Sequence, residues 1–208
     1  EAKNDMTAAE SNMKKAIDLN PDMPSLQTLL AGFYIRQNLI DKAKKQCLDS
    51  LKKAPDGVPA LMMLGMIYQS EKNYSRAQEY YEKVLKIDPE YVPAANNLAF
   101  LYAENRGNID IALNLAQKAK AKVPEDPNVS DTLGWIYYKK NVPGTAITYL
   151  KEASDKLPEN PVIRYHLGMA YYKKGNRDLA KKELGAALNI SANFAGADEA
   201  RATLNNLR

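Results

Sequence analysis

Any chemistry in this sequence would have to be done with one imidazole and one thiol. His166 is the single histidine and Cys47 the single cysteine among 208 residues. Counting therefore excludes a multi-histidine metal cage, a cysteine-built zinc site and an internal disulfide. No Gly-rich phosphate loop or nucleophile elbow accompanies His166, so enzyme chemistry is not expected. His166 is expected to be a hydrogen-bonded interior or groove residue, and Cys47 a small buried hydrophobe. The acidic pairs Glu125-Asp126 and Glu79/Glu82 lack calcium-loop spacing and read as solvated. The Lys-rich stretches Lys42-Ala43-Lys44-Lys45 and Lys118 to Lys122 carry no interleaved stacking aromatics. With 29 basic against 25 acidic residues and a net charge of +4, they read as a solvated outer face rather than a nucleic-acid surface. The expectation is thus no metal, no cofactor and no nucleic-acid partner. No apolar run approaches eighteen residues, so no membrane-spanning helix is expected, and Glu1 to Asp5 show neither a basic start nor an apolar core.

The remaining chemistry is that of contact surfaces, and its raw material is aromatic: thirteen Tyr against three Phe and one Trp. The tyrosines recur. Tyr34, Tyr68, Tyr102, Tyr137 and Tyr171 are spaced by 34, 34, 35 and 34 residues, and a small residue stands three places before each: Ala31, Gly65, Ala99, Gly134 and Gly168. Ala43, Ala77, Ala112, Ala146 and Ala180 keep the same period, as do Pro21, Pro55, Pro89, Pro124 and Pro158. The one extra residue falls between Tyr102 and Ala112, in the turn near Glu104 to Asn108.

Within a unit the apolar positions follow a helical period, as in Leu61, Leu64, Gly65, Tyr68 and then Ala77, Tyr81, Val84, Leu85. Turn chemistry at Glu71-Lys72-Asn73 and Lys174-Gly175-Asn176 divides a unit into two helices, and Asp88-Pro89 and Leu157-Pro158 divide one unit from the next. Two antiparallel helices approach closely where one presents Gly or Ala, and the Tyr ring fills the wedge beside it.

On these residues the chain resembles the tetratricopeptide repeats, whose period is 34 and whose pattern runs W-x₂-L-G-x₂-Y, A-x₃-F, P. The fullest match is Leu133-Gly134-Trp135-Ile136-Tyr137 with Ala146, Leu150 and Pro158. The first pattern position, often Trp, is instead Gln27, Leu61, Ala95, Ser130 and Arg164. The resemblance implies an all-α, right-handed α-solenoid of stacked helix-turn-helix repeats with a C-terminal capping helix. The expected layout is the second helix of a truncated repeat over 1–23, five repeats over 24–57, 58–91, 92–126, 127–160 and 161–191, and a capping helix over 192–208. Ala9, Met13, Ala16 and Pro21 fit the second-helix half alone. The chain is therefore expected to begin mid-repeat as a piece or processed form of a longer protein, which leaves self-association through that helix open. Phe194, Ala197, Ala200, Arg201, Leu204 and Leu207 mark the cap, with Arg208 expected as a natural terminus. Phrases in the last half, among them Asn96 to Tyr102, Asn160 to Gly168 and Phe194 to Arg201, are similar to bacterial repeat proteins associated with exosortase and exopolysaccharide export. That likeness implies an assembly or adaptor role near the envelope. The residues themselves leave periplasm and cytoplasm both open.

In this family the fifth, ninth, twelfth and thirteenth positions of each repeat face an inner groove. Here the resemblance singles out Met62, Met66, Asn96, Phe100, Asp131, Trp135, Tyr138, Lys139, Tyr165, Met169, Tyr172 and Lys173. Trp135, Tyr138, Tyr165 and Tyr172 would anchor a partner peptide or helix against Met and Phe walls. Carbohydrate recognition by the same ring faces is the alternative. The competing structural reading packs these side chains against neighbouring first helices, in which case the Trp135 N–H needs an acceptor.

Overall fold

The computed structural model describes residues 2–105 and 107–207. Its described residues form twelve helices and no strand. They are α1 (Ala2–Leu19), α2 (Pro24–Arg36), α3 (Ile40–Lys53), α4 (Val58–Ser70), α5 (Tyr74–Ile87), α6 (Val92–Glu104), α7 (Ile109–Lys122), α8 (Pro127–Lys139), α9 (Pro143–Lys156), α10 (Pro161–Lys174), α11 (Arg177–Ile190) and α12 (Ala197–Asn206). The chain divides into two compact units between Ala94 and Ala95. Arg106, in the turn that holds the extra residue, and Arg208, expected as a terminus, lie outside the described residues.

Each first helix starts on the chemistry its sequence supplies. Proline occupies the first turn of α2, α4, α8 and α10, where the missing N–H costs nothing and the ring presets φ. Asp126 caps α8 by accepting from Asn128 N and Val129 N, and Asn160 caps α10 through Val162 N and Ile163 N. The turns of the α2–α3, α4–α5, α8–α9 and α10–α11 hairpins use one left-handed residue at a fixed register: Asn38 (φ 57°), Lys72 (φ 59°), Asn141 (φ 62°) and Gly175 (φ 86°). Only Gly175 adopts it without steric cost.

In the first unit, Leu30, Phe33, Tyr34, Ala43 and Ile67 form a core on which Ala9, Met13 and Ile17 of α1 pack. The α4–α5 hairpin closes at Gly65, where an added Cβ would lie 2.5 Å from the Tyr81 ring. In the second unit, Ala99, Ala112, Ala116, Leu133 and Ile136 form one cluster, and Ala146, Leu150, Leu167 and Ala170 another. Here the close approaches are Gly134 on Leu150 and Gly168 on Leu184; at either glycine an added Cβ would lie 2.7 Å from the leucine Cγ. The repeat tyrosines fill the wedges: Tyr68 stacks on Tyr80 at 5.5 Å and Tyr137 on Tyr149 at 5.8 Å, both pairs within 6° of parallel. At the C-terminal end α12 buries Ala197 and Ala200 and is followed by buried Leu207. Phe194 precedes this helix, in the turn that ends at Gly196 (φ 100°).

Candidate functional site

The first helices of the second unit, with α12 continuing their row, bring most of the candidate residues together. Asp131, Trp135 and Tyr138 share one face of α8 because they are spaced by four and three residues. Tyr165, Met169 and Tyr172 do the same on α10. Trp135 lies at the centre: its ring stacks on His166 at 4.0 Å and on Tyr138 at 4.5 Å, and tilts against Tyr165 at 5.7 Å. Phe100 of α6 reaches His166 at 6.3 Å and belongs to the same packing.

Three carboxylates tie the row together, one between each adjacent pair of helices. Glu104 of α6 accepts from Trp135 Nε1 at 2.6 Å. Asp131 of α8 bonds Nδ1 of His166 on α10 at 2.8 Å. Glu199 of α12 accepts from the Tyr165 hydroxyl at 2.6 Å. Thr203 of α12 adds a contact to the Met169 sulfur at 3.6 Å. Burial pushes the Tyr165 hydroxyl well above the ordinary phenol range, and the Glu199 carboxylate pushes it further. Glu104 moves the other way. Burial alone would raise its carboxyl, but hydrogen bonds from Lys139 and Trp135 outweigh that and hold it below the ordinary range.

The sequence-based picture of open aromatic anchors is corrected here. Trp135 is 3% exposed and Tyr165 and Met169 4% each, while Asp131 is also buried. The reason is steric: Tyr165 and His166 of α10 lie against the Trp135 ring of α8, so each ring covers its neighbour and the space becomes core. The Trp135 N–H has the acceptor that burial demands, in Glu104. Tyr172, in contrast, is 39% exposed, and Lys139 and Lys173 lie in solvent at the edge. Their ammonium groups sit over ring faces, Lys139 at 4.9 Å from Trp135 and Lys173 at 4.4 Å from Tyr138. Tyr138, Phe100 and Asn96 are half-buried. The Asn96 Oδ1 atom is shielded from solvent and has no hydrogen-bond partner among the described residues.

In the first unit Met62 is buried and Met66 is 54% exposed, so of the two methionine walls only Met66 is open. Cys47 is fully buried. Among the described residues no group of three or more His, Cys, Asp or Glu could hold a metal ion, and no helix is long and apolar enough to cross a membrane.

Position counting did not bring out Glu104 and Glu199 as partners. A signal for Glu104 was present: it ends α6, the first helix of the repeat before the one that carries the sole indole. Glu199 lies 34 residues after Tyr165, one repeat along.

A helical row of this kind defines a class, the helical-repeat solenoids. Residues 2–67 and 141–204 match the Tetratricopeptide repeat family, as do residues 58–91 and 80–121. The chain belongs to the tetratricopeptide repeat family. A TPR repeat-containing protein of Pseudomonas aeruginosa is 26% identical over 144 residues, covering 69% of this chain and 24% of that protein. The photosystem I assembly protein Ycf3 of Prochlorococcus marinus is 35% identical over 79 residues, 36% of this chain and 45% of that protein. The chain thus spans a quarter to under half of these curated relatives. Among solved structures, YrrB, described as a TPR protein with an unusual peptide-binding site, superposes with a TM-score of 0.67 at 20% identity, covering 91% of this chain and 97% of that one. Proteins of this family generally mediate protein–protein interaction.

Proposed function

We propose that the chain is a non-catalytic adaptor whose second unit binds a segment of a partner protein along the first-helix row. The partner meets the edge of the sealed aromatic floor. Tyr172, Lys173, Lys139 and half-buried Tyr138 supply the contact, with Phe100 and Asn96 toward the start of the row. The observation that carries this reading is the contrast along one row: Trp135 and Tyr165 are covered, while Tyr172 keeps 39% of its surface open. In this reading the buried rings make the surface rigid, which lowers the ordering cost of binding.

In this reading the partner belongs to envelope or exopolysaccharide assembly, as the likeness of the C-terminal half implies. Carbohydrate stacking is not taken up, because the faces of Trp135 that a sugar would need are occupied by His166 and Tyr138. Affinity of a single groove of this kind is expected on the order of micromolar, about 8 kcal/mol.

The test is partner capture by the chain carrying Tyr172→Ala and Lys173→Glu. Capture should weaken at least tenfold with helicity unchanged, whereas Lys45→Glu on α3 should leave it as it was. Unaltered affinity in the double variant would remove the row from consideration.

A further inference from the structure

Two lysines close α8 and two close α10 at the same register: Lys139 and Lys140 in one repeat, Lys173 and Lys174 in the next, each pair directly after two tyrosines. On α8 both are neutralised by the repeat before. Lys139 pairs with Glu104 of α6 at 2.8 Å, and Lys140 with Asp110 of α7. One repeat on, both lysines persist and both carboxylates are gone. The Glu104 register is held by Lys139 and the Asp110 register by Gly144. Lys173 accordingly meets no carboxylate among the described residues: its ammonium donates to the Tyr138 carbonyl at 2.9 Å and lies over the Tyr138 ring. Lys174 and Arg177 are exposed, and among the described residues neither makes an ion pair. Asp178 carries the Asp110 register on α11, but that register pairs forward, with the first helix that follows it, and Asp178 comes after α10.

Three cations without a carboxylate, Lys173, Lys174 and Arg177, thus stand around the α10–α11 turn beside Tyr172, the ring that keeps 39% of its surface open. A lysine in the last turn of a helix is accounted for by the macrodipole. The loss of its partner at two registers in one repeat is not. Exposed ion pairs contribute little to stability, so omitting them costs the fold little and leaves cations placed to meet an anion. The room for one is there: a Cβ added at Gly144 would meet nothing within 4 Å.

We infer that the partner segment is an acidic peptide whose carboxylates supply at Lys173 and Lys174 what Glu104 and Asp110 supply one repeat earlier, with an apolar side chain against Tyr172. The inference rests on the row proposed above and adds the charge of its occupant. A single-stranded nucleic acid would meet the same cations, but it needs successive open rings for its bases. Here His166 and Tyr138 stack on Trp135 and Lys173 lies over Tyr138, which leaves Tyr172 as the open ring of α8 and α10.

The probe is a fluorescein-labelled peptide of the repeated triplet glutamate-glutamate-leucine, titrated into the intact chain with anisotropy as the readout. Saturable binding is expected, weakening as salt is raised, and the same peptide with glutamine for glutamate should bind at least tenfold more weakly. Gly144→Asp, which returns a carboxylate to the Asp110 register, should weaken the acidic peptide roughly fivefold by pairing with Lys174 from within the chain. It should keep its fold by circular dichroism, because an acidic residue in the first turn of a helix is favourable. Lys174→Gln should weaken binding by a similar factor. The inference is overturned by absence of saturable binding, by equal binding of the glutamine peptide, by indifference to both Gly144→Asp and Lys174→Gln, or by tighter binding of an oligothymidylate that Lys174→Gln weakens. Tyr172→Ala separates this inference from the reading beneath it: if it weakens the glutamate and glutamine peptides alike while these bind equally, the row stands and the acidic partner falls.

Discussion

The indole N–H of Trp135 and the carboxylate of Glu104, 31 residues apart in sequence, meet at 2.6 Å, and Lys139 pairs with the same oxygen at 2.8 Å. One carboxylate thus satisfies a buried donor and holds an exposed cation over the same ring.

Glu104→Ala should lower stability by about 1 to 3 kcal/mol, because it strands the indole N–H. Trp135 emission should shift to the red. Glu104→Gln, which keeps an acceptor, should cost less in a denaturant titration. The pH dependence has a definite sign. A carboxyl held below its ordinary value of 4.5 contributes stability above that value and loses it as pH falls through the lower folded value. Trp135 emission should therefore be flat near neutrality and change only on the acid side, a step that Glu104→Gln removes. A step centred near neutral pH would contradict this coupling.

Glycines of identical type should respond in opposite directions. A Cβ at Gly168 would meet Leu184 atoms at 2.7 and 2.8 Å, whereas at Gly185, inside α11, nothing lies within 4 Å. Gly168→Ala should destabilise by about 1 to 3 kcal/mol through overpacking. Gly185→Ala should stabilise by roughly 0.5 to 1 kcal/mol, since glycine in a helix interior is unfavourable. Thermal unfolding of the two single variants separates them, and a common sign would refute the packing account.

Burial pushes the Cys47 thiol up from 9.0 to about 12. The native thiol should be silent to thiol reagents at pH 8 and become reactive only on unfolding. A raised thiol contributes stability that is complete below its ordinary value and fades as pH climbs from about 9 towards 12. Cys47→Ala should flatten that part of the alkaline stability profile; reagent labelling of the native chain at pH 8 would count against burial as the cause.

The repeat was legible because each recurring residue does a separate steric job: glycine for close approach at Leu150 or Leu184, tyrosine for the wedge, proline for the helix start. Those jobs depend on local geometry that spacing encodes. The condition of the first-helix row was not legible in the same way. Counting assigns Trp135 and Tyr165 to one row of first helices, but whether a ring there is open depends on its neighbours. His166 comes from 31 residues downstream and Phe100 from 35 upstream, and together with Tyr138 they close the space. Tyr172 escapes because, among the described residues, no ring from another helix stacks on it. The requirement for an acceptor at a buried indole was readable; that Glu104 meets it needed the helices set side by side.

The lone thiol lies in the first unit and the lone indole in the second, both sealed. The chain therefore carries two orthogonal built-in reporters. Pulse labelling at Cys47 follows the opening of one half while emission from Trp135 follows the other, in the same sample and with no dye attached. Whether the halves melt together or in sequence becomes a direct observable of the unaltered polypeptide.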